Sequence, residues 1–131
     1  MGSDENKELV SKTWDAIVRG DVKSAFASMS DAVTWTIPGA MAGLSGVKSG
    51  KVEIIAFLRR VATTFPGGLT SDVRQIYADG DAVILEMTNR GTTATGRSYV
   101  NDYCFVFEVE RGRVRAIREY VDTQKAAEVF A

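Results

Sequence analysis

The chain has 131 residues, 45% hydrophobic and 25% charged, enough for one globular domain with a core and too few for two. Its 16 basic and 17 acidic side chains leave a net charge of -1, which excludes the basic footprint of a nucleic-acid binder. Histidine is absent, and with it Ser-His-Asp and Cys-His relays, imidazole bases, histidine metal sites and histidine pH switches.

One cysteine, Cys104, rules out an intrachain disulfide. No stretch reaches the roughly 20 apolar residues of a membrane span. Met1 to Asn6 lacks the basic and apolar parts of a signal peptide, so a cytoplasmic protein with no membrane partner is expected. The acidic residues are dispersed, and neither a metal nor a cofactor is expected.

Val10, Trp14, Ile17 and Val18 recur at helical spacing up to Gly20. Asp21 can cap a second short helix carrying Val22, Ala25, Phe26 and Met29. Val33 to Ile37 alternates with period two and stops at Pro38-Gly39, as a short strand does. The glycine-studded stretch from Gly39 to Gly50 reads as a loop on a pocket lip, since Gly46-Val47-Lys48-Ser49 lacks the Gly-Lys junction of a phosphate loop and contains no Rossmann spacing. Ile54, Phe57, Leu58, Val61 and Phe65 mark a third helix, ended by Pro66-Gly67-Gly68. Four extended runs follow, near residues 70–78, 82–90, 97–109 and 114–122, with room for a short helix from Thr123. Helices first and hairpins after them predict an α+β domain with helices on one face of a sheet.

Side chains alternate across a sheet, and the larger, aromatic set Tyr99, Asn101, Tyr103, Phe105 and Phe107 is assigned to the helix-covered face. A three-residue loop Glu110-Arg111-Gly112 sets Tyr103 opposite Glu119 and Asn101 opposite Val121. A loop centred on Ala94 sets Asn89 opposite Tyr99 and Met87 opposite Asn101. The interior then holds Met87, Asn89, Asn101, Tyr103, Ile117, Glu119 and Val121. A two-residue loop at Arg111-Gly112 would slip the pairing by one and turn Glu119 outward. The Asp79-Gly80 turn fits two lengths and leaves either Arg74 or Gln75 facing in.

Glu119 is the informative position, because a carboxylate in an apolar cavity has a raised pKa and can carry protons near neutral pH. The alternative is that it reaches the rim and pairs with Arg118 or Arg97. Tyr103 can donate to a developing oxyanion or to Glu119. Asn89 and Asn101 would be costly in a dry core and point to a wet or liganded cavity. Trp14, Trp35, Phe57 and Phe65 are candidates for its apolar walls, with plain core as the alternative. Arg111, Arg113, Arg115 and Arg118 form a solvated strand end. Cys104 faces outward with Val106, Ala116 and Tyr120, a semi-apolar patch that suits a homodimer through the outer face of the sheet.

The helices, the strand end Trp35-Thr36-Ile37-Pro38-Gly39, the strand with Asn101-Asp102-Tyr103 and the terminal Arg118-Glu119-Tyr120-Val121-Asp122-Thr123 together resemble the nuclear transport factor 2-like superfamily, in its SnoaL-like polyketide cyclase and ketosteroid-isomerase-like branch. The resemblance covers nearly the whole chain. It implies one domain, residues 1–131, built as a cone-shaped, cystatin-like α+β roll. A curved antiparallel sheet there packs against three N-terminal helices around an apolar pocket, and the protein is often dimeric. The superfamily hosts enzymes and proteins without known reactions.

Steroid isomerases of this group place their base where this chain has Ile37, an oxyanion tyrosine at about Thr13 and an oxyanion acid near Tyr103, so their mechanism is not expected here. Limonene-epoxide hydrolases resemble the chain at Glu119, which matches their catalytic aspartate, but their further arginine and aspartate fall at Met87 and Asn89.

The expectation is a pocket for an apolar small molecule, with Glu119 as base and Tyr103, Asn101 or Asn89 holding an enolate oxygen. Asn89, Asn101, Trp14, Trp35, Ile37, Phe57, Met87 and Ile117 are expected to contact the ligand. A non-catalytic binding module for an apolar metabolite and a dimerisation scaffold are the alternatives.

Overall fold

The computed structural model describes residues 2–130. Helix α1 (Ser3–Val18) buries Val10 and Trp14, and α2 (Val22–Ala27) starts where the Asp21 carboxylate accepts the Ser24 N–H at 3.2 Å. Then come β1 (Met29–Ile37), β2 (Gly46–Ser49), α3 (Gly50–Thr64), β3 (Thr70–Asp79), β4 (Ala82–Thr92), β5 (Ser98–Glu110), β6 (Arg113–Val121) and α4 (Thr123–Phe130). The α+β architecture matches the expectation. Met29 opens β1 instead of closing α2, and the glycine-studded lip contains strand β2.

The six strands form one curved, unclosed sheet in the order β2-β1-β6-β5-β4-β3. All neighbours are antiparallel except β1 and β6, which run parallel. Helix α1 lies against β3 and β4, and α3 against β1 and β2. Trp14 from α1 drives its ring to 4.5 Å from that of Phe105 on β5, at the centre of the aromatic core.

The turn between β5 and β6 corrects the expected register. Glu110 pairs with Arg113, so the loop is the two residues Arg111 and Gly112, at φ 52° and 74°, the left-handed pair that suits a hairpin's twist. This turn alone would slip the strand by one and face Glu119 outward. A β-bulge follows, because Val109 pairs with Val114 and Glu108 with Ala116, leaving Arg115 unpaired. Each device shifts the pairing by one residue, and two shifts restore the face. Glu119 therefore points inward as expected, but opposite Phe105, while Tyr103 is opposite Val121.

Between β4 and β5 the pairing is likewise displaced by two, joining Asn89 to Asn101 and Met87 to Tyr103. In β3 a second bulge leaves Arg74 unpaired. Arg74 bonds Thr88 and lies 3.6 Å from Asp102, Gln75 pairs with Glu86 on the outer face, and Ser71 faces inward beside Asn89. Neither Arg74 nor Gln75 faces the interior.

Candidate active site

Between the helices and the concave face of the sheet lies a cavity of about 610 Å³, within the range of about 300–1,000 Å³ for small-molecule sites. Trp14, Trp35, Phe57, Phe65, Phe105 and Phe130 supply its apolar wall, and Ser71, Asn89, Tyr103 and Glu119 its polar positions. Of the expected ligand contacts, Trp14, Trp35, Phe57 and Asn89 line this space. Ile37, Met87 and Ile117 do not: they are at most 1% exposed and belong to the packed core.

The register lays a polar diagonal across all six strands. Ser71 on β3 is opposite Asn89, and Asn89 is one diagonal step from Tyr103 on β5. Tyr103 is one step from Glu119 on β6, which is one step from Trp35 on β1, and Trp35 is opposite Lys48 on β2. Diagonal neighbours on one face stand close enough for long side chains to interact.

Glu119 is 7% exposed and accepts the Trp35 indole N–H on Oε1 at 3.0 Å. Burial pushes its carboxyl up to about 7, against the opposing pull of the Trp35 bond and the Lys48 charge. It pairs with no arginine, since Arg118 bonds Glu108 and Arg97 bonds the Glu128 carbonyl. Lys48 holds its ammonium 5.0 Å from the Phe57 ring centre and donates to the Leu44 carbonyl. Burial holds the Lys48 amine below its ordinary value, with Glu119 pulling the other way.

Tyr103 bonds the Tyr99 hydroxyl at 2.6 Å and stacks on Phe105, centroids 5.6 Å apart. Burial drives its phenol far above the ordinary range, so it keeps its proton at any physiological pH. Asn101 lies behind the wall, where its Nδ2 donates to the Tyr99 hydroxyl at 2.8 Å and to the Asp122 carbonyl at 3.0 Å. Asn89 accepts the Ser71 hydroxyl on Oδ1 at 2.6 Å.

Sequence reasoning missed Lys48, Ser71 and Tyr99. Lys48 stands on a four-residue strand inside a glycine-rich loop, and Ser71 on a strand whose bulge hides its register. Tyr99 was placed on the inner face, and its partnership with Tyr103 follows from their i, i+4 spacing only once Asn101 is fixed between them.

A cavity between helices and a curved sheet, with the buried Glu119 carboxyl among aromatic rings, defines an α+β roll built around an apolar cavity. The chain belongs to the SnoaL-like domain family, whose profile matches residues 10–117; the match ends two residues before Glu119. A nuclear transport factor 2-like protein of unknown function from Burkholderia pseudomallei is 28% identical, with a TM-score of 0.89 over 100% of this chain and 99% of that one. The structure of TerC co-crystallised with polyporic acid is 25% identical, with a TM-score of 0.87 over 96% and 98%. The uncharacterized protein Rv0034 of Mycobacterium tuberculosis is 24% identical over 99% of this chain and 98% of its own length. No helix among the described residues is long and apolar enough to cross a membrane.

Proposed function

We propose that the cavity binds an apolar carbonyl compound and that Glu119 moves a proton at the carbon beside the carbonyl, without a cofactor. The observation that carries this reading is the Glu119 carboxyl on the cavity wall, raised to about 7 by burial. A base poised near the working pH combines a useful ionised fraction with basicity enough to take a carbon-bound proton.

The Trp35 indole engages Oε1 and leaves Oε2 for the ligand. Oε2 takes the α-proton, the C–H electron pair becomes the enolate, and negative charge collects on the carbonyl oxygen. Asn101 donates to the Tyr99 hydroxyl, which leaves the Tyr99 proton for Tyr103 and the Tyr103 proton for that oxygen. Such a preset donor is worth most in a dry site, where charge develops only during reaction. Protonated Glu119 then returns its proton to carbon, and the carboxylate is regenerated. The co-crystallisation of TerC, a structural relative, with polyporic acid supports a small organic ligand for this chain.

The test is deuterium incorporation into aryl methyl ketones in D2O, followed by NMR, for the wild type and Glu119→Gln. The reading predicts that exchange above the buffer rate falls at least about 100-fold in the variant. Equal rates in the two proteins would overturn it and leave a binding module without chemistry.

A further inference from the structure

Asn89 is 3% exposed, lies on the cavity wall, and has its carbonyl oxygen occupied by the Ser71 hydroxyl at 2.6 Å. With Ser71 donating to Oδ1, the amide is fixed with Nδ2 as its free end, and Nδ2 has no protein partner among the described residues. Nδ2 is not sealed off as the orphaned Asn101 Oδ1 is but opens onto the cavity, so a ligand that covers it without offering an acceptor would leave a desolvated donor unpaired. Along the polar diagonal, Asn89 and Glu119 are two strands and four residue levels apart, about 17 Å between Cα positions measured along a flat sheet. The two groups thus address opposite ends of any ligand that reaches both.

The charge around Asn89 decides what kind of acceptor suits it. The cations on the cavity wall, Arg19 and Arg59, are exposed, Arg74 is turned to Thr88 and Asp102 on the outer face, and Lys48 stands at the far end of the diagonal beside Trp35. An anionic group against Asn89 would lose its hydration with no counter-charge in return, whereas a neutral carbonyl gains a hydrogen bond.

We infer that the Ser71–Asn89 couple is a second anchoring point, which selects two-ended ligands carrying a neutral oxygen acceptor, such as a ketone, ester or amide, at the end remote from Glu119. The inference rests on the cavity being the ligand site proposed above. Ser71 acts through Asn89 as a positioning residue: its hydroxyl decides which end of the amide faces the ligand.

The test compares 2,6-diacetylnaphthalene with 2-acetylnaphthalene, by displacement of a fluorescent apolar dye, in the wild type, Asn89→Leu, Ser71→Ala and Glu119→Gln. The wild type is expected to bind the two-ended probe about tenfold more tightly than the one-ended one, the return on one additional hydrogen bond in a preformed site. That ratio is expected to fall to parity or below in Asn89→Leu, to an intermediate value in Ser71→Ala, and to persist in Glu119→Gln. A packing role for Asn89 would weaken both probes alike and leave the ratio unchanged, which overturns the inference, as does a ratio near one in the wild type. Saturable binding with such an unchanged ratio leaves the cavity reading standing. Absence of binding by either probe overturns both readings together.

Discussion

Trp35 gives its indole N–H to the Oε1 of Glu119 across 3.0 Å, from the one strand that runs parallel to the strand carrying the carboxylate. The bond ties an apolar wall residue to the only carboxyl that the described residues bring to the cavity wall. It steadies the charged form in a place where burial favours the neutral one. The balance between these effects sets the pH at which Glu119 titrates.

Glu119→Gln is expected to stabilise the fold at alkaline pH. The Glu119 carboxyl is raised from 4.5 to about 7 by burial, so its stabilising contribution is fully present below about 4.5 and is lost as pH rises towards 7, because only the unfolded chain releases the proton freely there. At about 1.4 kcal/mol per pH unit, the loss approaches about 3 kcal/mol above pH 7. Urea denaturation between pH 4 and 9 should show the variant gaining on the wild type as pH rises, with no gain below about pH 4.5.

Trp35→Phe removes the hydrogen bond that opposes burial, so the midpoint of any Glu119-dependent exchange should move up by about one pH unit. Lys48→Met should move it the same way by less, since the Lys48 charge is the weaker of the two opposing influences. Lys48→Arg should keep the wild-type midpoint. The pH–rate profile of deuterium exchange measures all three.

Gly91→Ala should destabilise the protein by about 1–3 kcal/mol, the usual cost of overpacking. A Cβ there would come within 2.8 Å of Leu69 Cδ2, 3.1 Å of Phe65 Cδ1 and 3.1 Å of the Gly68 carbonyl, and Phe65 and Leu69 line the cavity. Gly67→Ala meets nothing within 4 Å and serves as the control in the same denaturation experiment.

The outer face of the sheet leaves Tyr77, Val100 and Tyr120 each more than 40% exposed, with Cys104 paired beside Tyr120. A homodimer through this face predicts a doubled mass by light scattering for the wild type, and a monomer for Tyr120→Glu, which sets a charge in the apolar patch. A monomeric wild type would contradict it.

Why the inward position of Glu119 was legible, and its neighbours were not, comes down to turns. Alternation fixes the face of every residue on a strand, and face is blind to slips of two. The Arg111-Gly112 turn and the Arg115 bulge shift the pairing by one each, so the face of Glu119 survived while its partner changed from Tyr103 to Phe105. Asn101 faces inward as expected, yet its Nδ2 is spent on the Tyr99 hydroxyl and the Asp122 carbonyl, a contact made only where α4 leaves the sheet, and its Oδ1 is enclosed without a partner among the described residues. Met87, Ile117 and Ile37 also face inward, and alternation cannot separate a cavity wall from the core behind it. Strand β2 was hidden because four residues bounded by Gly46 and Gly50, both at positive φ, carry too little alternation to register.

The most direct measurement is a carbon-13 NMR titration of the glutamate side-chain carboxyls, with Glu119→Gln identifying the resonance. A carboxyl titrating near pH 7, missing from the variant, is the predicted result. A Glu119 carboxyl titrating near its ordinary value of 4.5 would contradict the account, since it would place the group in water and leave the cavity without a base tuned for proton transfer at neutral pH.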